Sequence, residues 1–199
     1  AYATAGGLHG VGISVVNALS QSFIVEVARS KKLYKQSFSR GHKTSDLMDL
    51  GAVNNRRGTK VTFLPDPEIF GDKAIFKAAR LYKMARSKAY LFRGVEVRWR
   101  CPEAFAQDGK TPQEAVLHFP GGVSDYLKEV LVDRAVVSDE PFHGRAEFPG
   151  NAGSAEWAIH WPIYGDGFGE SYCNTIPTPQ GGTHESGLRT ALSRGIKDY

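Results

Sequence analysis

Gly6-Gly7-Leu8-His9-Gly10-Val11-Gly12-Ile13-Ser14-Val15-Val16-Asn17-Ala18-Leu19-Ser20 is the stretch on which the fold turns. Glycines at 6, 7, 10 and 12 run straight into the apolar positions Ile13, Val15, Val16, Ala18 and Leu19, a pattern that predicts a glycine-rich turn and then a short helix buried on most sides. Glycine tolerates φ > 0 and leaves no side chain in the way. Successive amide N–H groups can therefore converge on phosphate oxygens, and the start of a helix adds partial positive charge. His9 lies inside this loop, where it could donate to a phosphate or point into water. The order G-x-x-G-x-G, without a closing Gly-Lys-Ser/Thr, differs from both the P-loop and the dinucleotide fingerprint. On residues alone two readings stay open: a phosphate cradle, or a turn that lets a helix pack closely.

Downstream, Phe23, Val25 and Val27 alternate as a strand, and residues 33–39 form a second, which predicts a hairpin carrying Arg29, Lys31, Lys32, Lys35, Arg40 and Lys43. Residues 42–57 read as loop. Val61 and Phe63 mark another strand, stopped by Pro65 and Pro67. A helix is predicted over 72–92, with Ile75, Ala78, Tyr82, Ala85 and Ala89 as its buried stripe and Lys73, Lys77, Arg80 and Lys88 on the opposite face. Strands follow at Val95, Val97 and Trp99 and at 115–119, with Asp108-Gly109 as the turn between them. Pro120-Gly121-Gly122 punctuates the chain, placing a domain boundary between residues 1–121 and 122–199. Beyond it come a helix through Val123, Tyr126, Leu127 and Val130, a polar, glycine-rich segment to Gly153, and a strand through Ala155, Trp157, Ile159 and Trp161. A second strand reaches Tyr172. A Pro/Gly loop over 174–182 then leads into a final helix, which Thr183 can cap with Glu185 in its first turn.

The 199 residues are 41% hydrophobic and 23% charged, which excludes a disordered chain and allows one or two domains with their own cores. Cys101 and Cys173 are too few to staple a small secreted fold, which favours a reducing, cytoplasmic setting. No apolar run reaches the roughly 18 residues of a membrane helix, and no export signal opens the chain. The first residue is Ala, and the glycine motif begins almost at once, so the sequence reads as a window on a longer protein. Charge is uneven. Residues 1–121 hold 19 Lys and Arg against 10 Asp and Glu, net +9, whereas residues 122–199 hold 6 against 11, net −5. The basic half is either a solvated face or a polyanion contact. The scattered histidines show no metal-ligand spacing, and no nucleophile motif or carboxylate pair stands out.

Two segments taken with the opening motif resemble one family. Residues 6–20 look like the end of the ATP lid, and the helix after it, in the B subunits of bacterial type IIA DNA topoisomerases, DNA gyrase and topoisomerase IV. Arg57-Gly58-Thr59-Lys60-Val61-Thr62-Phe63-Leu64-Pro65-Asp66 is similar to their R-G-T-x-V-x-F-x-P-D strand. Gly181-Gly182-Thr183-His184 stands at the expected distance beyond, and Asn174-Thr175-Ile176-Pro177-Thr178-Pro179 with Phe119-Pro120-Gly121-Gly122 looks more like topoisomerase IV than gyrase. The resemblance implies an α/β fold: the C-terminal part of a GHKL-type ATPase domain, then the start of a transducer domain with a ribosomal-S5-like fold.

The same resemblance implies ATP contacts at Tyr2, Leu8, His9, Gly10, Val11, Gly12 and Thr59, with Arg29 at the pocket rim, and leaves Lys73, Lys77 and Arg80 as possible DNA-facing residues. It implies ATP and Mg²⁺ as cofactors, with the metal ligands, the general-base glutamate and the adenine-binding aspartate upstream of residue 1 and a phosphate-sensing lysine beyond residue 199. These 199 residues alone are accordingly expected to be inactive. Implied partners are double-stranded DNA, an A-type subunit in a heterotetramer, and a second copy on ATP binding. The alternatives are gyrase proper, which supercoils, or a non-catalytic GHKL-like interaction module. A histidine kinase or mismatch-repair ATPase would share the glycine lid but not the segment at 174–184.

Overall fold

The computed structural model describes residues 10–71, 75–106 and 108–199, and these fall into two compact units, 1–76 and 77–199. In the first unit a seven-residue helix α1 (Gly12–Ala18) leads into the long strand β1 (Ser20–Arg29). β1 pairs antiparallel with β2 (Lys32–Ser39) on one side, through a two-residue turn at Ser30 and Lys31, both at positive φ. The short strands β3 (His42–Lys43) and β4 (Met48–Ala52) both add to β2. On the other side β1 pairs with β5 (Gly58–Pro65), the terminal strand of the sheet, and a single turn, α2 (Pro67–Phe70), follows it.

Residues directly opposed across these ladders share a face. One face carries the rows Phe38–Phe23–Phe63 and Gln36–Val25–Val61. The other carries Lys35–Glu26–Lys60, in which Lys60 pairs with Glu26 at 3.1 Å. Phe23 is buried and meets the edge of Phe38 with ring centroids 6.2 Å apart. Two expectations are corrected here. Residues 42–57 are not simply loop, because β4 gains its structure from pairing with β2. And α1 is not buried on most sides: Ile13 is 55% exposed and no residue of the helix is buried among the described residues. It is held by backbone bonds at its C-terminal turn rather than by packing of its apolar face.

The second unit opens with α3 (Ala78–Leu91), followed by the hairpin β6 (Glu96–Arg100) and β7 (Glu114–His118). Their connection includes a 3₁₀ turn and is closed by Asp108, whose carboxylate accepts from the Thr111 N–H at 2.7 Å. Next come α4 (Val123–Val130), the hairpin β8 (Phe142–Glu147) and β9 (Ser154–Ile159), the two-residue strands β10 (Tyr172–Cys173) and β11 (Ile176–Pro177), and α5 (Thr183–Asp198). The core joins α3, β7 and α4. Ala89, Tyr90, Leu117 and Phe119 are buried, and Val123, Tyr126 and Tyr172 pack against them. Tyr90 stacks on Tyr126 at 4.0 Å and meets Phe119 and Tyr172 edge-on.

The helix predicted over 72–92 is shorter at its start. Lys77 has extended backbone angles and Ile75 is 67% exposed outside the helix, so Ile75 leaves the predicted stripe. Lys88 also departs from the predicted basic face, because its ammonium reaches back to Thr175. The polar segment before Gly153 contains β8, drawn into a strand by β9. Gly182, not Thr183, stands at the N-cap of α5, and no side chain caps that end.

Candidate nucleotide site

Gly10 and Gly12 enter α1 under different constraints. Gly10 has φ +65, which a glycine adopts without strain, whereas Gly12 has ordinary helical geometry. A Cβ built on Gly12 meets nothing within 4 Å among the described residues, so neither backbone conformation nor internal packing there calls for glycine. Glycine at the first turn even lowers helix stability relative to alanine by roughly 1 kcal/mol. What remains is room for something outside the described chain to approach the backbone of Gly10, Val11 and Gly12, which are all exposed.

Thr59 lies on β5 opposite Val27, two residues before Arg29 on β1, so the register sets Thr59 and Arg29 on one face at the same end of the sheet. Arg29 is opposed by Lys32, whose ammonium is engaged by Asp49 at 2.8 Å. That bond raises the Lys32 pKa and lowers that of Asp49. On the opposite face the hydrogen bond from Lys60 holds the Glu26 carboxyl below its ordinary range, with smaller help from Arg56 and Lys35. The structure thus brings Thr59 and Arg29 together. Tyr2, Leu8, His9 and Lys73 lie outside the described residues. In the second unit Lys77 precedes α3 and Arg80 is exposed in its first turn. No group of three or more His, Cys, Asp or Glu that could hold a metal ion occurs among the described residues. The glycine segment thus offers exposed backbone at Gly10, Val11 and Gly12 and no such metal-ligand group beside it among the described residues.

Residues 122–199 match the family described as DNA gyrase B. Over its whole length the chain is 55% identical to the B subunit of DNA topoisomerase 4 from Bartonella bacilliformis, covering 29% of that protein. The chain belongs to the B-subunit family of the bacterial type IIA DNA topoisomerases. Its fold is correspondingly that of the family's ATPase domains. The 43K ATPase domain of Thermus thermophilus gyrase B, solved in complex with an aminocoumarin, superposes with a TM-score of 0.78 at 34% identity, covering 96% of this chain and 50% of that one. The topoisomerase IV ATP-binding domain of Francisella tularensis, solved with a small-molecule inhibitor, gives 0.67 at 29%, covering 98% and 51%. The chain thus spans under a third of that curated relative and about half of each solved domain.

Some family segments hold residues that carry no mark in the sequence reading. Asp66, last in the strand motif, is 1% exposed, caps α2 by accepting from the Glu68 N–H, and pairs with Arg40. An Asp followed by Pro67 at the first helical position is a readable capping signal. Glu170 is a second such residue. The hydroxyls of Tyr172, Tyr126 and Tyr90 lie 2.9, 3.2 and 3.3 Å from its Oε2, and Lys83 lies 3.4 Å from its Oε1. Burial pushes the Glu170 carboxyl up, but Tyr172, Lys83 and Tyr126 together hold it below its ordinary value. Its partners on α3 and α4 are 44 to 87 residues away, and no local signal marks it.

Proposed function

We propose that the chain is part of the ATP-binding subunit of a type II DNA topoisomerase, in which ATP binding and hydrolysis are coupled to passage of one duplex through another. The observation that carries this reading is the 55% identity, over an alignment that covers the whole chain, to the B subunit of a DNA topoisomerase 4. The same identity favours relaxation and decatenation over supercoiling. Gly10, Val11 and Gly12, with Leu8 and His9, hold the triphosphate; Tyr2 and Thr59 complete the nucleotide contacts, and Arg29 borders the pocket. The open approach to Gly12 supports this assignment. ATP is hydrolysed, water adding to the γ-phosphorus as the bond to ADP breaks, and Mg²⁺ would be bound by residues other than the described ones. The protein acts in the cytoplasm on double-stranded DNA, joined to an A-type subunit and pairing with its own copy when ATP binds.

The domain boundary is proposed at Gly121 and Gly122, where the charge changes sign and the matched residues begin. That proposed boundary lies inside the second compact unit, where α3 and β7 on one side of it and α4 on the other share one core.

The test uses the full-length B subunit assembled with its A-type partner. ATP-dependent decatenation of interlinked DNA circles, abolished by Gly12→Val, is the expected result. Introduction of negative supercoils into relaxed plasmid would instead assign gyrase, and unaltered ATP turnover by Gly12→Val would remove the nucleotide assignment. Lys77→Glu with Arg80→Glu examines the basic start of α3. Loss of DNA-stimulated turnover with a shallower salt dependence supports DNA contact, and an unchanged salt dependence returns this face to simple solvation.

A further inference from the structure

We infer that Arg40 and Asp66 are positioning residues for the nucleotide: together they anchor α1 at its far end and so aim the backbone of Gly10, Val11 and Gly12. This rests on the nucleotide reading of that segment given above. The reason lies in how α1 is held. None of its residues is buried, and no side chain caps its start among the described residues. Its C-terminal turn, by contrast, is tied down carbonyl by carbonyl. The Asp66 N–H donates to the Leu19 carbonyl at 3.0 Å, the Gly41 N–H to Asn17 at 3.1 Å, and the Ser20 hydroxyl to Val16 at 2.6 Å, while the Arg40 N–H donates to Ser20 at 2.7 Å. These bonds satisfy groups that a helix end leaves unpaired.

Apart from the local Ser20 hydroxyl, the donors come from two separate places in the chain, the turn after β2 and the end of β5, and one ion pair joins them. The Arg40 guanidinium engages both oxygens of Asp66, with Nη2 at 3.2 Å from Oδ1, and also reaches Glu68. Asp66 is almost wholly buried. Burial pushes its carboxyl up, but Arg40 and the Glu68 N–H outweigh this and keep it ionised. Arg40 itself sits at φ 51, a conformation that a non-glycine residue adopts at some cost and that its bonded side chain fixes.

The helix converts a small error at this anchor into a large one at its other end. Seven residues span about 10 Å, so a tilt of about 10° at Ser20 displaces the amides of Gly10 and Gly12 by about 2 Å, far more than the spread of about 0.5 Å over which an N–H···O hydrogen bond to a phosphate oxygen holds.

In the full-length subunit with its A-type partner, Arg40→Ala and Asp66→Asn are each expected to raise the KM for ATP, and the Kd for a non-hydrolysable ATP analogue, about tenfold with kcat changed less than threefold. Arg40→Lys, which keeps one charged contact, should recover most of the loss. The double variant should add less than twofold to either single one, because both break the same contact. KM within twofold of the parent for both single variants overturns the inference, as does a fall in kcat at unchanged KM. If Asp66→Asn does not fold, Arg40→Gln and Arg40→Lys probe the same contact from its half-exposed partner. Gly12→Val separates the two levels. If it abolishes analogue binding while Arg40→Ala does not weaken it, the anchor is wrong and the site stands; if Gly12→Val leaves binding intact, the site itself is wrong.

Discussion

Replacing Lys88 by methionine tests whether the turn at Asn174 and Thr175 is held from α3. The two residues connect β10 to β11 with φ 47 and 69, the left-handed geometry of a tight hairpin turn, and a β-branched threonine there is under strain of order 1–3 kcal/mol. Lys88 Nζ donates to the Thr175 carbonyl at 2.8 Å and to its hydroxyl at 3.0 Å. Burial lowers the pKa of the ammonium, so its desolvation takes back part of what two charge-assisted bonds of about 1.5–3 kcal/mol each supply. The balance is a loss of about 2 kcal/mol in Lys88→Met, a fall of about 6–10 °C in melting temperature for a unit of this size. Trp99, Trp157 and Trp161, all the tryptophans of the chain, lie in the second unit, so their fluorescence during urea unfolding reports on it alone. Thr175→Gly relieves the strain and removes one acceptor, and Lys88→Met in that background should cost about 1 kcal/mol less. A loss under about 0.5 kcal/mol in the single variant, or an unchanged cost in the glycine background, refutes the argument.

Three further outcomes follow from the same unit. Glu170 is held below its ordinary pKa of 4.5, so its stabilisation is complete above that value and fades as pH falls through the lower folded value; Glu170→Gln should flatten this acid limb in pH-dependent denaturation. Tyr172 behaves in the opposite sense: burial and its neighbours push its hydroxyl up to about 12, so stability present below pH 10 should fall as the pH rises through 12, and Tyr172→Phe should delay that fall. Gly144 faces Trp157 across the β8–β9 ladder, and an added Cβ would lie 2.5 Å from the indole Cζ2, so Gly144→Ala should cost about 1–3 kcal/mol and change tryptophan emission at neutral pH.

Legible in the sequence is whatever depends on neighbours along the chain. The β1–β2 hairpin, α4 and α5 follow from periodicity, and the family resemblance from three short motifs in order. β4 and β8 escape because each is short, interrupted by a glycine (Gly51 and Gly144) and poor in β-branched residues, so the local strand signal is weak and each becomes a strand by pairing with β2 or β9. α3 reads too long because the spacing of Ile75 matches the stripe, while Lys77 is extended and breaks the continuity. The same spacing assigns Lys88 to a solvent face, although its four-carbon stem lets the charge travel to an acceptor 87 residues away. At the candidate site, Thr59 and Arg29 emerge one by one from the sequence, and only the strand register brings them to a common face. The anchor at Arg40 and Asp66 needs three segments to meet.

The position of β5 at the end of its sheet among the described residues has a consequence for handling these 199 residues on their own. Its outward amides and carbonyls have no strand beside them among the described residues, and along its length Lys60 is the sole charged side chain, already engaged by Glu26. Such an edge is a template on which a second β-strand can dock, from another molecule of the same chain. Concentrated solutions should therefore scatter light increasingly with time, and a lysine in place of Thr62 should keep them clear. Sample lifetime would then be governed by strand recruitment at this border rather than by how firmly either unit is folded.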